Sequence, residues 1–442
     1  MACGLLAGLL LLPLVRPLFP GHAAPSPVER ALKADLAATP EEGLARFYRS
    51  DGYRPLWISG KSLKPAAQHL IATLRNAGAD GLDPAKYGAS DVAALVSAAA
   101  ADGRPKSLAD AELALSRVYS SYAGDLHRPV KGAGLSFIDP AARMPPTSAE
   151  PILRAAAQAP SMDAALLNAE RMNPVYLALR QAWTAARAKD AASSNTALLR
   201  INMERARALP PDLGQRYILV NPAAQHLWLY SGGQSNAGMR VVVGKLTEPT
   251  PSMIGLVRYA LFNPYWNVPP DLVRDKIAPK VLQHGPGYFT DQRFQALASF
   301  APNAAVLNPA RIDWKAVASG AQTLRVRQLP GPHNMMGTVK FMLPNPLGIY
   351  LHDTPMRGLF AGAARTDSAG CVRLQHPAQL AAWLFGKKQS FDPNGAPDQQ
   401  VNLPRPAPVY ILYLTAQPEA GEVKILPDIY GRDPAEKAAL KS

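Results

Sequence analysis

Residues 349–374 of the chain read IYLHDTPMRGLFAGAARTDSAGCVRL, and this stretch decides how the rest of the sequence is interpreted. Its first residues predict a strand that ends at His352. Cys371 follows 19 residues later, in the segment SAGCVRL. A cysteine nucleophile needs a base that removes the thiol proton near neutral pH, and histidine has a suitable pKa. The two residues therefore predict a site for nucleophilic catalysis by cysteine.

The residues next to this pair can serve the same chemistry. Gly370 allows a sharp turn that brings two backbone N–H groups close to the thiol, where they could form an oxyanion hole. Arg373 stands two positions after Cys371, so in a strand it shares a face with the thiol and could lower the thiol pKa or bind a substrate carboxylate. Asp353 could hold the imidazole tautomer of His352 through its side chain or its carbonyl. A buried, inert thiol is the alternative reading of the cysteine.

The order and spacing of the pair do not fit two known classes of cysteine protease. Papain-like enzymes place the cysteine first and the histidine about 130 residues or more after it, and caspases place the histidine about 50 residues before the cysteine. A zinc site of His352, Cys371 and His376 is disfavoured, because its ligands show neither i, i+4 nor C-x-x-C spacing. We therefore expect neither a metal nor a cofactor.

Outward from this stretch, the periodicity of the chain changes near residue 210. Apolar residues recur at helical spacing in residues 28–208, whereas strand-like segments begin at Tyr217. Residues 270–325 interrupt the β pattern with helix-like pieces, and an insertion of this length often forms a lid or a binding element. The fold class is therefore α+β multidomain, with a helical N-terminal half and a β-rich C-terminal half. The predicted strands are 217–221, 226–230, 239–244, 257–262, 339–343, 349–352 and 408–414.

Composition and the first residues indicate an exported, basic protein. The chain has 442 residues, and its 47 Lys and Arg against 33 Asp and Glu give a formal net charge of +14. This charge favours an acidic partner, but no nucleic-acid motif accompanies it, so we expect no nucleic acid. The apolar run 4–15 and the small residues at 21–24 are typical of a secretory signal peptide, with an uncleaved anchor as the alternative. Cys3 lies in this leader, so the mature chain keeps Cys371 alone.

Several motifs resemble one family. IYLHDTP followed by S-x-G-C-V-R resembles the catalytic motif of the L,D-transpeptidases, whose catalytic domain has the YkuD-type fold. Ala369 departs from the S-H-G-C of the wider family, but the large Gram-negative subgroup often has a small residue there. Further segments resemble this subgroup, which has a helical scaffold domain and a capping subdomain: GYRPLW at 52–57, DGLD at 80–83, NMER at 202–205, TP at 250–251, NPYWNVP at 263–269 and RQLPG at 327–331.

The resemblance implies roles for particular residues. Cys371 would be the nucleophile and His352 the base, with Asp353 beside it. The backbone N–H groups of Gly370 and Cys371 would hold the oxyanion. The substrate-binding residues would be Arg373, Tyr350, Trp266, Asn334 and Ser368.

The resemblance also implies an organisation and a function. We expect a signal peptide at 1–24, a helical scaffold domain at 25–208, a catalytic domain at 215–427 with a capping insertion at 270–325, and a C-terminal tail at 428–442. The implied function is a periplasmic peptidoglycan L,D-transpeptidase. It would form 3→3 cross-links between a tetrapeptide donor and a diamino acid acceptor through a cysteine thioester, it would be acylated by carbapenems, and envelope proteins could activate it. The alternatives are an L,D-carboxypeptidase or hydrolase with the same site, and a catalytically silent scaffold that binds peptidoglycan.

Overall fold

A computed structural model describes residues 24–38, 41–299, 301, 303–389, 392 and 394–440. The predicted signal peptide, except for Ala24, lies outside the described residues. The chain divides into two compact units: the first comprises the described residues up to 75 together with 84–122 and 148–167, and the second comprises 76–83, 123–147 and 168–440. Over the described ranges, no helix combines the length and the apolar character that crossing a membrane requires.

The first unit is mainly helical, as the periodicity predicted. Its helices bury apolar residues at helical spacing; the helix that begins at Ala66, for example, buries Leu70, Ile71 and Leu74. The elements that lie or begin in this unit are α1 (Pro27–Ala38), α2 (Glu42–Ser50), β1 (Ile58–Ser59), β2 (Ser62–Leu63), α3 (Ala66–Arg75), α4 (Ala89–Asp102), α5 (Pro105–Leu126), α6 (Ala149–Gln158) and α7 (Met162–Ala169).

A buried carboxylate organises the centre of this unit. Glu112, on α5, accepts hydrogen bonds from the Tyr48 hydroxyl at 2.7 Å and from the backbone N–H groups of Leu56 at 2.6 Å and Trp57 at 3.0 Å. Burial raises the pKa of Glu112 to about 7 despite these donors. The carboxylate thereby fixes residues 56–57, which belong to the GYRPLW motif.

The second unit contains the β structure. Its elements are β3 (Phe137–Ile138), α8 (Pro174–Lys189), α9 (Ser194–Arg207), β4 (Arg216–Asn221), β5 (His226–Ser231), β6 (Gln234–Val242), β7 (Met253–Phe262), β8 (Trp266–Val268), α10 (Pro270–Leu272), α11 (Ala278–His284), α12 (Pro286–Asp291), β9 (Phe294–Leu297), β10 (Val306–Leu307), α13 (Trp314–Ser319), β11 (Arg325–Gln328), β12 (Val339–Met342), β13 (Leu351–His352), β14 (Val372–Leu374), α14 (Pro377–Phe385), β15 (Gln399–Ile411), β16 (Ala416–Glu419), β17 (Glu422–Ile425) and α15 (Asp433–Ala439).

The main sheet closes on itself. Its strand order is β12-β13-β14-β6-β5-β4-β15-β7-β3, and β12 also pairs with β7. Alternating residues of these strands form one apolar core; Ile218, Leu229 and Val241 are fully buried in it. The helix α14 covers part of this core with Leu380, Ala381 and Leu384. The helical-then-β order of the predicted fold class is thus present in the chain.

The predicted insertion has a sheet and a core of its own. In addition to helices, this region contains a second sheet, whose strand order is β10-β9-β11-β8. Val273, Phe289, Trp314 and Val326 belong to a separate apolar cluster. The sequence predicted helix-like pieces here and missed the strands, which contain only two to four residues and therefore show too little alternation to detect.

The segment predicted as a C-terminal tail contains the helix α15. Glu436 on this helix is buried and accepts a hydrogen bond from Arg205 of α9 at 2.8 Å. Asp433 forms an ion pair with the same arginine at 2.8 Å. These contacts fix α15 against α9 within the second unit. The predicted domain boundaries near residues 208–215 and 427 stay predictions.

Candidate active site

Three neighbouring strands position the predicted catalytic residues. In the main sheet, Phe341 of β12 is paired with Leu351 of β13, which is paired with Val372 of β14, and all three side chains are fully buried in the core. Side chains alternate between the faces of a sheet, so the residues adjacent to these three, which precede Phe341 in β12 and follow Leu351 and Val372, point to the opposite face. That row is Lys340, His352 and Arg373. Strand register therefore places two cationic side chains on either side of the imidazole.

The hydrogen bonding of His352 defines its tautomer. Its Nδ1 lies 2.5 Å from the carbonyl oxygen of Asp353. A carbonyl can only accept, so Nδ1 carries the proton and Nε2 is left as the basic nitrogen. Burial, together with the charges of Arg373 and Lys340, lowers the pKa of His352 to about 3, although the hydrogen bond to Asp353 opposes the change. The imidazole is consequently neutral and available as a proton acceptor.

Asp353 supports His352 through its carbonyl, whereas its side chain has other partners. One carboxylate oxygen accepts hydrogen bonds from the N–H of Thr338 at 2.8 Å and from its hydroxyl at 2.7 Å. The other oxygen accepts from the N–H of Thr354 at 2.7 Å and pairs with Arg357. Of the two roles that the sequence left open for Asp353, the geometry matches the carbonyl.

A turn stabilised by Thr250 presents Cys371. Gly370 has a φ of +93°, a conformation that side-chain-bearing residues rarely adopt. The Thr250 hydroxyl donates to the Gly370 carbonyl at 2.8 Å and accepts from the N–H of Gly244 at 2.9 Å. The Ser368 hydroxyl donates to the carbonyl of Cys371 at 2.5 Å. Ser368 thus contributes to the turn, and Thr250 is a positioning residue whose role the motif comparison did not identify.

Cys371 is partly exposed, and its thiol donates to the carbonyl of Gly348 at 3.5 Å. Burial raises the pKa of Cys371, while a backbone hydrogen bond from Tyr350 and the charges of Lys340 and Arg373 oppose that rise. Among the described residues, the N–H groups of Gly370 and Cys371 donate to no backbone carbonyl. Two N–H groups beside the thiol therefore remain available to a ligand, as an oxyanion hole requires.

Lys340 belongs to this site although the sequence analysis did not single it out. Its Nζ lies 3.6 Å from the centroid of the Tyr350 ring. Burial lowers its pKa, whereas Cys371 and Asp398 raise it. The sequence contained a signal for this position of Lys340. In the β12 segment VKFM, Val339 and Phe341 lie in the core, so alternation places Lys340 on the opposite face.

Two predicted substrate residues lie in other surroundings. Trp266 is in β8 of the second sheet, where it packs against the insertion core with its ring 6.3 Å from that of Phe294. Asn334 is buried; its side-chain N–H group donates to the carbonyls of Pro264, Gln328 and Leu329, and its oxygen accepts from the N–H of Met336. Backbone groups are the partners of both ends of this side-chain amide, so Asn334 stabilises the conformation of the loop.

Two cavities border the site on the side of Asp353. They have volumes of about 580 and 760 Å³, and both are lined by Thr338 and Arg357. Asp353 lines the first cavity, and Cys371 is absent from the described lining of either.

Comparison with known proteins finds a matching family model in each half of the chain. Residues 215–403 match the family model described as the L,D-transpeptidase catalytic domain (YkuD), and residues 42–182 match the Scaffold domain. A Haemophilus influenzae protein whose name assigns it to the L,D-transpeptidases is 34% identical over 252 residues, covering 54% of this chain and 49% of that protein. The chain thus spans about half the length of this curated relative.

Two solved structures are also similar to the chain. One is an L,D-transpeptidase from Mycobacterium smegmatis, with 14% identity and a TM-score of 0.23, covering 45% of this chain and 58% of that one. The other is the catalytic domain of an E. faecium L,D-transpeptidase, with 16% identity and a TM-score of 0.20, covering 44% of this chain and 95% of that one. The family matches therefore identify residues 215–403 as a YkuD-type L,D-transpeptidase catalytic domain, which follows a Scaffold domain at residues 42–182.

Proposed function

We propose that the chain is a peptidoglycan L,D-transpeptidase that forms 3→3 cross-links through a thioester on Cys371. The observation that carries the proposal is the parallel pairing of β13, which ends at His352, with β14, which Cys371 immediately precedes, inside a YkuD domain. The donor would be a tetrapeptide stem, and the acceptor would be the side-chain amine of a diamino acid in a second stem.

The first half of the reaction is acyl transfer to the enzyme. The sulfur of Cys371 attacks the carbonyl of the third residue of the donor while Nε2 of His352 takes the thiol proton. Because the pKa of the thiol is raised and that of the imidazole is about 3, we expect proton transfer to accompany the attack rather than to precede it. The N–H groups of Gly370 and Cys371 stabilise the oxyanion. The imidazolium then protonates the departing D-alanine amine, leaving the thioester.

The second half returns the enzyme to its starting state. The acceptor amine attacks the thioester carbonyl, His352 takes the amine proton, and the new amide forms as the sulfur leaves and is reprotonated. Water would give a tripeptide in place of a cross-link, so its exclusion determines the product. We assign that task to the insertion at 270–325, which has its own core and can act as a rigid lid.

The remaining expectations concern the environment of the enzyme. The predicted signal peptide would deliver it to the periplasm, and the net charge of +14 would attract acidic stem peptides and anionic lipids. Envelope proteins could serve as activators. Carbapenems would acylate Cys371.

The test is the conversion of a purified disaccharide-tetrapeptide by residues 24–442, followed by mass spectrometry, with Cys371→Ser as the matched control. A dimer whose mass is twice that of the monomer less one D-alanine, formed only by the unmodified chain, supports transfer. A tripeptide monomer instead supports the hydrolase alternative. No product and no carbapenem adduct on Cys371 would contradict both and leave the silent scaffold.

A further inference from the structure

We propose that Lys340 is a further specificity-determining residue, which together with Arg373 binds the C-terminal carboxylate of the donor stem peptide. This is the carboxylate of the residue that leaves during acylation. The inference deepens the proposed function and rests on it for the identity of the ligand. The geometric part of the argument, a carboxylate site beside the thiol, stands on the residues alone.

The first step of the argument is the placement of the two cations. Lys340 and Arg373 are the register partners of His352 on β12 and β14, so they flank the imidazole from both sides. Both also act electrostatically on Cys371, and Lys340 has the larger effect of the two. An anion bound by both cations would therefore lie over the imidazole of His352 and near the sulfur.

The second step is that neither cation has an adequate anionic partner. Among the described residues, Lys340 Nζ forms no direct ion pair or hydrogen bond; it lies over the Tyr350 ring, and Asp398 acts on it only through its charge. The Nε of Arg373 is buried without an acceptor, and one of its Nη groups reaches only the thioether sulfur of Met356, at 3.7 Å. Burying a charge without a partner is costly, so such a pair of cations is a ready site for an anion.

The third step identifies the anion by its chemistry. When the scissile carbonyl lies at Cys371, the carboxylate of the departing residue is only a few bonds away, which places it within reach of both cations. An arginine fork and an ammonium group together match a carboxylate well. The Tyr350 ring holds the ammonium in place through a cation–π contact. The site would thus select stems with a free C-terminal carboxylate.

Alkylation of Cys371 tests the carboxylate site without any stem peptide. The rates of reaction with iodoacetate, which carries a carboxylate, and with neutral iodoacetamide are measured on the full chain, on Lys340→Met and on Lys424→Met. Lys424 is an exposed lysine paired with Glu419 and serves as the matched control. We expect the iodoacetate to iodoacetamide rate ratio to fall about tenfold in Lys340→Met and to stay unchanged in the control. An unchanged ratio in a folded Lys340→Met protein overturns the proposal.

The donor assignment is tested with tetrapeptides whose C-terminus is free or amidated. We expect the unmodified chain to prefer the free acid by about tenfold or more in kcat/KM, Lys340→Met to lose this preference, and Lys340→Arg to keep part of it. Lys340→Arg retains the charge and therefore also reports if the methionine variant fails to fold. If the preference is equal in all folded variants, the assignment is wrong. If the unmodified chain converts neither peptide while the alkylation ratio responds, the proposed function fails and the carboxylate site stands.

Discussion

Replacing Thr250 by valine should disable acylation while leaving the thiol itself reactive. The Thr250 hydroxyl holds the Gly370 carbonyl, and that carbonyl shares one planar peptide group with the N–H of Cys371. Fixing the carbonyl therefore aims the N–H at the position of the oxyanion. Valine retains the shape of threonine but releases this peptide group. The loss should resemble removal of an oxyanion-hole donor, about 10²–10³ in the acylation rate.

The same substitution should also lower stability. Thr250 is fully buried, and valine would leave the Gly370 carbonyl and the Gly244 N–H without their partner. At about 1–3 kcal/mol for each of these two buried unsatisfied groups, the expected loss of unfolding free energy is about 2–6 kcal/mol, part of which the added methyl group offsets. Thr250→Ser keeps the hydroxyl and should lose only about 1 kcal/mol of apolar burial.

Three measurements separate these effects. Urea unfolding reports the stability, carbapenem acylation followed by mass spectrometry reports the oxyanion hole, and iodoacetamide alkylation reports the thiol without requiring an oxyanion. We expect Thr250→Val to show slow acylation with near-normal alkylation, and Thr250→Ser to behave like the unmodified chain. Equal acylation rates for Thr250→Val and the unmodified chain would refute the claim that this hydroxyl aligns the Cys371 N–H.

Three further predictions follow from other residues. Gly370→Ala should slow acylation at least about tenfold, because the φ of +93° disfavours alanine and the new methyl would lie 3.0 Å from Ile349. Gly358→Ala is the control, since the added methyl there meets open space. Equal acylation rates for Gly370→Ala and the unmodified chain would contradict the argument. Glu112→Gln should flatten the pH dependence of stability. Because the pKa of Glu112 is raised to about 7, its contribution to the unmodified chain is full below about pH 4.5 and is lost as the pH rises through 7. If the urea midpoints of the variant and the unmodified chain differ by the same amount at pH 5 and pH 8, the prediction is wrong. In the pH profile of kcat/KM, the midpoint of the acid limb should lie near pH 3, the lowered pKa of His352. A midpoint near pH 6.5 would show that the imidazole does not have this lowered pKa.

The sequence was sufficient to predict the YkuD-type catalytic domain and to nominate a candidate catalytic pair within it. Cys371 and His352 lie in a short, specific motif, and the change from helical to strand periodicity preceded the β domain where the structure has it. The resemblance also extended across the helical half, which the Scaffold match confirms. Local patterns of this kind can be read without knowledge of the tertiary contacts.

Other features depend on strand register, which the motif does not contain. The position of Lys340 beside His352 arises from the pairing of β12 with β13, and the role of Thr250 arises from a contact with Gly370 across 120 positions of the chain. Trp266 was expected in the substrate pocket from its Pro-rich loop, but its packing depends on the second sheet, whose strands are too short to predict. The substrate roles predicted for all five residues stay predictions: Arg373, Tyr350, Trp266, Asn334 and Ser368.

The ion pairs between α9 and α15 have a consequence for the order of events during folding. Arg205 is buried, and its partner Glu436 is synthesised 231 positions later. Until that segment arrives, closing the second unit would leave a buried guanidinium unpaired, at a cost of about 3–5 kcal/mol. Completion of the unit that carries Cys371 is thus delayed until α15 is available, so the candidate active site forms late in folding.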